Sequence, residues 1–308
     1  MAERLALGII PGTGWRAREI QMVAREAEDA GFDAIFNTEV NNDALATAQL
    51  LGTATQRMLV GTWVANIYLR HPYVCAQGVA LIAEATEGRF ILGLGVSHQP
   101  VNQALAIEMP HPQMALRHYV TAVRGWLRGE GPPTHLPQRP ALQTVPIYVA
   151  VLTSATVELG GELADGIMPF LWPATRVRQS QAWAARGRAK APMLGPLEVA
   201  LGLPTFIGDD LDAMRDAARQ NLGLFTTFPF FQRLFRASGF AEEATQMEQG
   251  AGPTALSDRL LDAVCLLGSA ARCGEQLAAF RAAGVEVPIL LPPVGADGAR
   301  TVIQAFRR

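Results

Sequence analysis

Short, continuous apolar runs alternate with longer segments whose apolar residues recur at helical spacing, and eight such runs occur along the chain. Apolar runs of this kind indicate strands buried on both faces, as in a parallel sheet covered by helices. Eight strand–helix units in one chain favour a closed barrel over an open doubly wound sheet. The sequence therefore predicts an α/β fold, a (β/α)8 TIM barrel with insertion segments after the strands, formed by residues 1–308 as one domain.

The predicted strands are Leu5–Ile10, Ala34–Phe36, Met58–Asn66, Phe90–Val96, Ile147–Val151, Gly166–Phe170, Leu197–Ile207 and Val287–Leu291. The predicted helices are Arg18–Ala30, Ala44–Ala54, Tyr73–Ala85, Met114–Leu127, Thr156–Ala164, Leu211–Gln220, Ser257–Leu266, Cys273–Ala282 and Ala299–Phe306. The Gly- and Pro-rich stretch from Gly129 to Pro146 is predicted to be a loop.

Composition and charge exclude several classes of protein. The net charge of -2 lacks the electrostatic footprint of a nucleic-acid-binding protein. No apolar run approaches the roughly 18 residues of a membrane span, and the first run is too short for a signal peptide. Three cysteines (Cys75, Cys265 and Cys273) show no CxxC spacing, so we expect buried free thiols in a reducing, cytoplasmic compartment.

Several kinds of catalytic site are also excluded. Lys190 is the only lysine and lies in a polar stretch, so Schiff-base chemistry is not expected. The chain has no P-loop, no HExxH motif and no GxSxG elbow. The five histidines do not show a ligand spacing with carboxylates, so no metal site is predicted.

Polar residues follow four of the predicted strands, at the barrel end where TIM-barrel chemistry is located. They are Glu39, Asn66, the pair Ser97 and His98, and the pair Thr153 and Ser154. Each has a structural alternative. Glu39 and Thr153 are suitable N-caps for the helices that follow them, and His98 could be a structural histidine. A helix start with free N–H groups also attracts phosphate, so Thr153–Thr156 is a candidate phosphate site.

Two segments break the strand–helix rhythm. From Gly166 to Leu197 there is no acidic residue, while residues 176–190 carry four arginines and the lysine. This segment is either a solvated basic helix or a lid that meets an anionic ligand. The second segment is an aromatic cluster of Phe225, Phe228, Phe230, Phe231 and Phe235. One interpretation is that these residues pack in the core or in a dimer interface. The other is that they form an apolar wall over a substrate pocket.

An ordered set of short motifs resembles the bacterial luciferase-like superfamily of barrel oxidoreductases. The motifs are Glu28–Asp33 leading to Glu39, Trp63–Asn66 with Arg70–Pro72, Gly88–Gly95 with Ser97 and His98, Pro146–Ala150, Gly161–Gly166, and a tail from Leu267–Ser269 to Ala283–Val285. Without the tail, they span most of the first 170 residues. Within the superfamily they are most similar to the branch that uses the deazaflavin coenzyme F420, such as methylenetetrahydromethanopterin reductases.

The resemblance implies hydride transfer between coenzyme F420 and a small organic substrate. A backbone bulge after the third strand, often with a non-proline cis peptide, would support the deazaflavin ring, and by position that bond is Trp63–Val64. The implied cofactor-binding residues are Trp63, Val64, Asn66, Ser97, Val151, Leu152, Thr153, Ser154 and Thr156. His98 and Glu39 are the predicted catalytic residues, because an imidazole titrates near neutral pH and can exchange the accompanying proton. A homodimer is expected from the resemblance alone.

Three departures from the family pattern leave alternatives open. Val40 stands where a histidine often follows the acid after strand two, Thr153-Ser154 replaces a common Gly-Pro, and His98 stands where some relatives have glutamate. One alternative is an FMN-dependent monooxygenase with the same fold. Another is a non-catalytic barrel that binds a flavin or a metabolite. The substrate itself is not readable from the sequence.

Overall fold

The computed structural model describes residues 3–130 and 144–308, and its apolar runs form short parallel strands. These are β1 (Ala6–Ile9), β2 (Ala34–Asn37), β3 (Leu59–Thr62), β4 (Ala65–Asn66), β5 (Phe90–Gly95), β6 (Ile147–Ala150), β7 (Gly166–Met168), β8 (Glu198–Val199), β9 (Gly202–Ile207), β10 (Leu266–Gly268) and β11 (Ile289–Leu291). Nearly all of their residues are buried, as expected for strands covered on both faces.

The segments with helical periodicity form the helices, many of them begun by side-chain caps such as Asp43, Thr153 and Ser269. The helices are α1 (Ala17–Asp29), α2 (Ala44–Ala54), α3 (Pro72–Ala85), α4 (Gln99–Ala104), α5 (Pro112–Leu127), α6 (Ser154–Leu163), α7 (Ala174–Arg188), α8 (Leu211–Leu222), α9 (Pro229–Ala237), α10 (Ala241–Glu248), α11 (Asp258–Val264), α12 (Ala270–Ala282) and α13 (Ala296–Ala305). Short 3-10 turns occur at Pro11–Thr13, Gly223–Thr227 and Gly252–Ala255.

The strands form a parallel sheet in the order β10-β9-β11-β1-β2-β3-β5-β6-β7-β8, with β4 paired to β5. β11 pairs with β1 on one side and with β9 on the other, and the sheet curls so that the segment after β7 comes close to β9. A bridge between Phe170 and Gly202 links the segment after β7 to the start of β9. The result is a TIM-barrel-like α/β fold, as the sequence predicts at this level.

Two apolar cores stabilise this architecture. The larger one lies between the strands and the helices around them. The smaller one comprises Ala6, Ala34, Phe36, Ile91, Tyr148, Met168, Ala200, Val287, Ile289 and Leu291, with Trp63, Val64 and Phe170 packed against it. These residues come from strands along most of the sheet order or from beside them, so they line the inner face of the curled sheet. Because the strands are parallel, the segments that follow them lie at one end, here called the barrel mouth.

Several predicted boundaries are wrong in informative ways. The predicted third strand is divided into β3 and β4 by a bulge at Trp63 and Val64, and the predicted strand Leu197–Ile207 is divided into β8 and β9. The predicted helix Ser257–Leu266 ends at Val264, because Leu266 begins β10, which pairs with the far half of β9. Helices α4, α9 and α10 are additional. Most of the predicted loop Gly129–Pro146 lies outside the described residues.

Other expectations concern the thiols and the membrane. Cys75, Cys265 and Cys273 are buried free thiols, as predicted. Burial raises the pKa of Cys75 and of Cys273 to about 11, so these thiols stay protonated at neutral pH. Within the described ranges, none of the helices combines the length and apolarity that crossing a membrane requires.

Candidate functional site

Glu39, at the end of β2, anchors the barrel mouth. Its side chain is 3% exposed, and its carboxylate accepts hydrogen bonds from the backbone N–H of Ala44 (3.0 Å) and of Asn66 (2.6 Å). The guanidinium of Arg70 pairs with both carboxylate oxygens and also contacts Asp43 at 3.1 Å. Burial by itself would lower the pKa of Arg70, but these acidic partners outweigh it and raise that pKa. Glu39 therefore fixes α2, β4 and Arg70 in one place.

The anchored segment is the bulge that the resemblance implies. The Trp63–Val64 peptide bond is cis, as expected. Just before it, the Thr62 hydroxyl accepts a hydrogen bond from the Gly93 N–H (2.9 Å) and donates one to its carbonyl (2.7 Å), which joins β3 to β5. The Trp63 ring packs edge-on against Phe170, with centroids 5.3 Å apart. The bulge is thus held by β5 and by the segment that follows β7.

Asn66 has partners that sequence reasoning missed. Its side chain is 4% exposed, and its amide nitrogen donates to Asn102 Oδ1 at 2.8 Å. Its amide oxygen accepts from the Tyr68 N–H at 3.1 Å. Asn102, fully buried in α4, donates in turn to the Val96 carbonyl at 2.9 Å. One amide hydrogen of Asn66 remains for a ligand, so its predicted contact with a cofactor ring stays a prediction.

His98 follows β5 and lies against the aromatic cluster. Its ring stacks on Phe230 at a centroid distance of 5.0 Å and an interplanar angle of 17°, and Phe228 lies 5.3 Å away. The preceding residue, Ser97, has a left-handed backbone with a φ of 59°. No hydrogen bond to the His98 ring comes from the described residues. Phe231 and Phe235 are fully buried core, as one interpretation of the cluster predicts, while Phe228 and Phe230 lie against His98. The predicted apolar wall over a substrate pocket stays a prediction.

The protonation state of His98 differs from the expectation. Burial among these rings lowers the pKa of His98 to about 4, because an apolar environment disfavours the charged imidazolium. The assumption that this imidazole titrates near neutral pH is therefore wrong. At pH 7 the His98 ring is neutral, so it can accept a proton or donate a hydrogen bond. It is not an imidazolium that could act directly as a proton donor.

The candidate phosphate loop, Val151–Thr156, leads into α6. Thr153 is the N-cap of α6 and accepts a hydrogen bond from the Thr156 N–H at 3.2 Å. The Thr156 hydroxyl accepts from the backbone N–H groups of Leu152 (3.1 Å) and Thr153 (2.9 Å). The N-cap alternative is thus confirmed. The predicted phosphate contacts are compatible with it and remain predictions.

The basic segment forms a helix, and its alternative role as a lid that meets an anionic ligand stays a prediction. It forms α7, which packs along α6. Two of its cations pair with Glu158 of α6, Arg186 at 3.2 Å and Lys190 at 2.7 Å. The helix interpretation of this segment is therefore confirmed up to Arg188, but two of its arginines are not fully solvated. Arg188 is half-buried, and its Nε and Nη1 atoms are buried. Arg176 is only 5% exposed, so it is not a solvated residue.

Unpaired polar atoms mark the same end of the barrel. Buried polar groups are normally hydrogen-bonded, yet several at the end of β2 or in the segments after β2, β4 and β7 have no partner among the described residues. They are Asn37 Oδ1, Thr38 Oγ1, the Tyr68 hydroxyl, Trp172 Nε1 and Arg176 Nε. Acceptors and donors beside aromatic surfaces fit a flavin-type ring, which carries both N–H and C=O groups along its edge.

Comparison with known proteins decides the family. The family model for luciferase-like monooxygenases matches residues 6–286. The chain belongs to this family. One relative is a Mycobacterium tuberculosis protein with the provisional name of a coenzyme F420-dependent oxidoreductase. It is 26% identical over an alignment of 304 residues, and the match covers 86% of this chain and 88% of the relative.

Solved structures share the fold of this luciferase-like chain. The coenzyme F420-dependent tetrahydromethanopterin reductase from Methanopyrus kandleri has a TM-score of 0.80 at 17% identity and covers 99% of this chain and 98% of its own. An F420-dependent secondary alcohol dehydrogenase in complex with an F420-acetone adduct also has a TM-score of 0.80 at 17% identity, with complete coverage of both chains. At such identities these likenesses establish the architecture.

Three further residues of the site were missed by sequence reasoning. Arg70 was noted only as part of a motif, although it is the cation that neutralises Glu39. Asn102 lies in a short helix that was not predicted, so nothing marked it as the partner of Asn66. Arg176 belonged to a recognised basic segment, but its burial depends on how α7 packs on α6. The sequence offered charge and spacing for these residues and no signal of their contacts.

Proposed function

We propose that this luciferase-like chain is a coenzyme F420-dependent oxidoreductase that exchanges a hydride with a small organic substrate. The observation that carries the proposal is a neutral, apolar-covered imidazole, His98, at the same barrel end as the anchored bulge and the phosphate loop. The name of the Mycobacterium tuberculosis relative supports the deazaflavin. We further propose that residues 1–308 form one closed (β/α)8 barrel, with α8–α11 inserted at its mouth.

The residues already described would hold the cofactor. The bulge of Trp63 and Val64, with Asn66 beside it, would support the ring, and Ser97 would lie at its edge. The phosphate loop would bind the phosphate of the cofactor tail. When bound, the deazaflavin supplies a two-electron carrier that gives or accepts a hydride at its C5 atom. Glu39 acts as a positioning residue, because both of its carboxylate oxygens are engaged by Ala44, Asn66 and Arg70.

His98 would handle the proton. A neutral imidazole can take the hydroxyl proton of an alcohol while the alcohol is oxidised, and it can return that proton when a carbonyl is reduced. The Phe228 and Phe230 rings exclude water from this imidazole and give the substrate site an apolar surface. Small apolar alcohols, ketones or activated alkenes are therefore the substrate class to screen first.

Titration of the purified protein with coenzyme F420 and, separately, with FMN tests the proposal. We expect F420 to bind with a Kd of about a micromolar or tighter and FMN to bind at least about tenfold more weakly. Ligand fluorescence reports both equilibria. Binding of neither compound would contradict any role in flavin or deazaflavin chemistry.

The second candidate is an FMN-dependent monooxygenase, favoured by the description of the matching family itself. This candidate predicts tighter binding of FMN than of F420, and oxygen uptake when reduced FMN is supplied. An oxygen electrode measures that uptake directly, and no uptake above a no-protein control would exclude it. Cofactor binding without redox turnover on the substrate panel would instead indicate a non-catalytic barrel.

We also propose a homodimer. Several large apolar side chains are exposed on and beside α3, α4 and α5, namely Leu69, Val74, Leu81, Val101, Leu105 and Met114. A cluster of exposed apolar residues is typical of an interaction surface, and a two-fold dimer is the commonest assembly. Light scattering during gel filtration should give twice the chain mass of 33.1 kDa, or about 66 kDa. A concentration-independent mass of 33.1 kDa would contradict it.

A further inference from the structure

The guanidinium of Arg176 is buried without an acidic partner. Its Nη2 atom donates to the Leu152 carbonyl at 2.9 Å, and its Nε atom is buried with no acceptor among the described residues. No carboxylate of residues 3–130 or 144–308 lies within ion-pair distance of it. Burial accordingly lowers the pKa of Arg176 and no acid opposes this. A buried charge normally requires a counter-charge.

The surroundings of Arg176 add further positive potential. The hydrogen bond to Leu152 brings the guanidinium to the loop at the N-terminus of α6, a ten-residue helix. Arg176 itself lies in the first turn of α7, where the helix dipole disfavours a cation. Neither helix has an acidic residue in its first turn. The N–H groups of Ser154 and Ala155, both exposed, have no protein acceptor in the described part of the chain, so the region combines free donors with unbalanced positive charge.

Two tryptophans explain the orientation of Arg176 but not its charge. The guanidinium lies 5.2 Å from the centroid of the Trp172 ring and 5.3 Å from that of Trp183. Contacts of this kind stabilise a cation modestly and hold its plane. They offer no hydrogen-bond acceptor for Nε. The two rings therefore hold the guanidinium beside the α6 N-terminus, but they do not neutralise its charge.

We infer that Arg176, together with the N-terminal turn of α6, binds the phosphate of the bound cofactor. The inference rests on the proposed function and adds a residue outside the predicted phosphate loop. A phosphate oxygen accepts hydrogen bonds from an arginine and from helix N-terminal amides at once, so one anion satisfies both features. Arg176 thus selects for phosphorylated flavins or deazaflavins over their unphosphorylated forms.

The test uses two probes that differ only in the phosphate, 8-hydroxy-5-deazariboflavin and its 5′-phosphate. Fluorescence titration of the wild-type protein should show the phosphate form binding at least about 30-fold more tightly. Arg176→Met should reduce that ratio to about threefold while changing the affinity for the unphosphorylated probe less than about twofold. Arg176→Lys, which keeps the charge but lacks the fork, should give an intermediate ratio. Arg178→Met, an exposed arginine of the same helix, should leave the ratio unchanged.

Each outcome has a defined meaning. If the wild-type protein bound both probes about equally, the inference would be overturned. It would also be overturned if Arg176→Met weakened the binding of both probes equally, because that is the effect expected of a purely structural arginine. If Arg176→Met fails to fold, Arg176→Lys decides, and a ratio equal to the wild-type one would overturn the inference. Failure of the wild-type protein to bind coenzyme F420 and both probes would instead refute the proposed function.

Discussion

Replacing His98 with alanine should lower kcat about a hundredfold or more, with little change in the Kd for coenzyme F420. General acid–base groups typically contribute factors of this size, and the ring is covered by Phe228 and Phe230 rather than paired with a polar partner among the described residues. Stopped-flow absorbance of the deazaflavin, with the best substrate from the alcohol and ketone screen, measures the loss. Unchanged turnover would show that His98 only packs against the aromatic cluster.

The dependence of kcat/KM on pH distinguishes a proton-transfer role of His98 from a role in packing alone. Because the pKa of His98 is lowered to about 4, the imidazole is neutral above this value and becomes protonated only in stronger acid. Alcohol oxidation needs the neutral form as proton acceptor, so kcat/KM should stay level from about pH 8 down to about pH 5 and fall below that. Phe230→Leu would expose the His98 ring to more water and raise its pKa. The fall of kcat/KM in acid should therefore begin at a higher pH in this variant. A fall that begins at the same pH would be assigned to another group.

Sequence reasoning succeeded where periodicity and burial act over a whole element. Continuous apolar runs such as the one containing β5 predicted parallel strands, and the order of strands and helices predicted a barrel-like fold. It failed where the outcome depended on tertiary contacts. Leu266 is predicted as the last residue of the helix Ser257–Leu266, yet it begins β10 because the far half of β9 offers an unpaired edge. Its apolar side chain satisfies either structure, so the choice lies in the partner and not in the segment.

The candidate site shows the same division. Position after a strand was enough to bring Glu39, Asn66 and His98 to one end of the barrel, because parallel strands end together. Their protonation states and partners were not predictable in this way. The neutral state of His98 depends on the aromatic cluster, which is about 130 residues away in sequence. The engagement of Glu39 depends on Arg70, which is 31 residues away and reaches back across the bulge.

Replacing Arg70 with methionine should destabilise the protein by about 3 kcal/mol, because it leaves the Glu39 carboxylate buried without its counter-charge. The side chain of Glu39 is 3% exposed and that of Arg70 is 12% exposed, so water cannot take over the lost interaction. Urea unfolding followed by tryptophan fluorescence measures the free energy of unfolding. The matched control is Arg300→Met, which removes an ion pair with Glu26 whose side chains are 38% and 37% exposed and should cost less than about 1 kcal/mol.

A second substitution shows whether the uncompensated charge is the cause. The double variant Glu39→Gln with Arg70→Met removes both charges, so it should recover part of the stability lost in Arg70→Met alone. The glutamine oxygen can still accept one of the backbone hydrogen bonds from Ala44 or Asn66, which keeps α2 close to the bulge. If Glu39→Gln lowered the free energy of unfolding as much in the Arg70→Met background as it does in the wild-type protein, the two residues would be energetically independent. The bulge would then be held by the Thr62 hydrogen bonds to Gly93 and not by the ion pair.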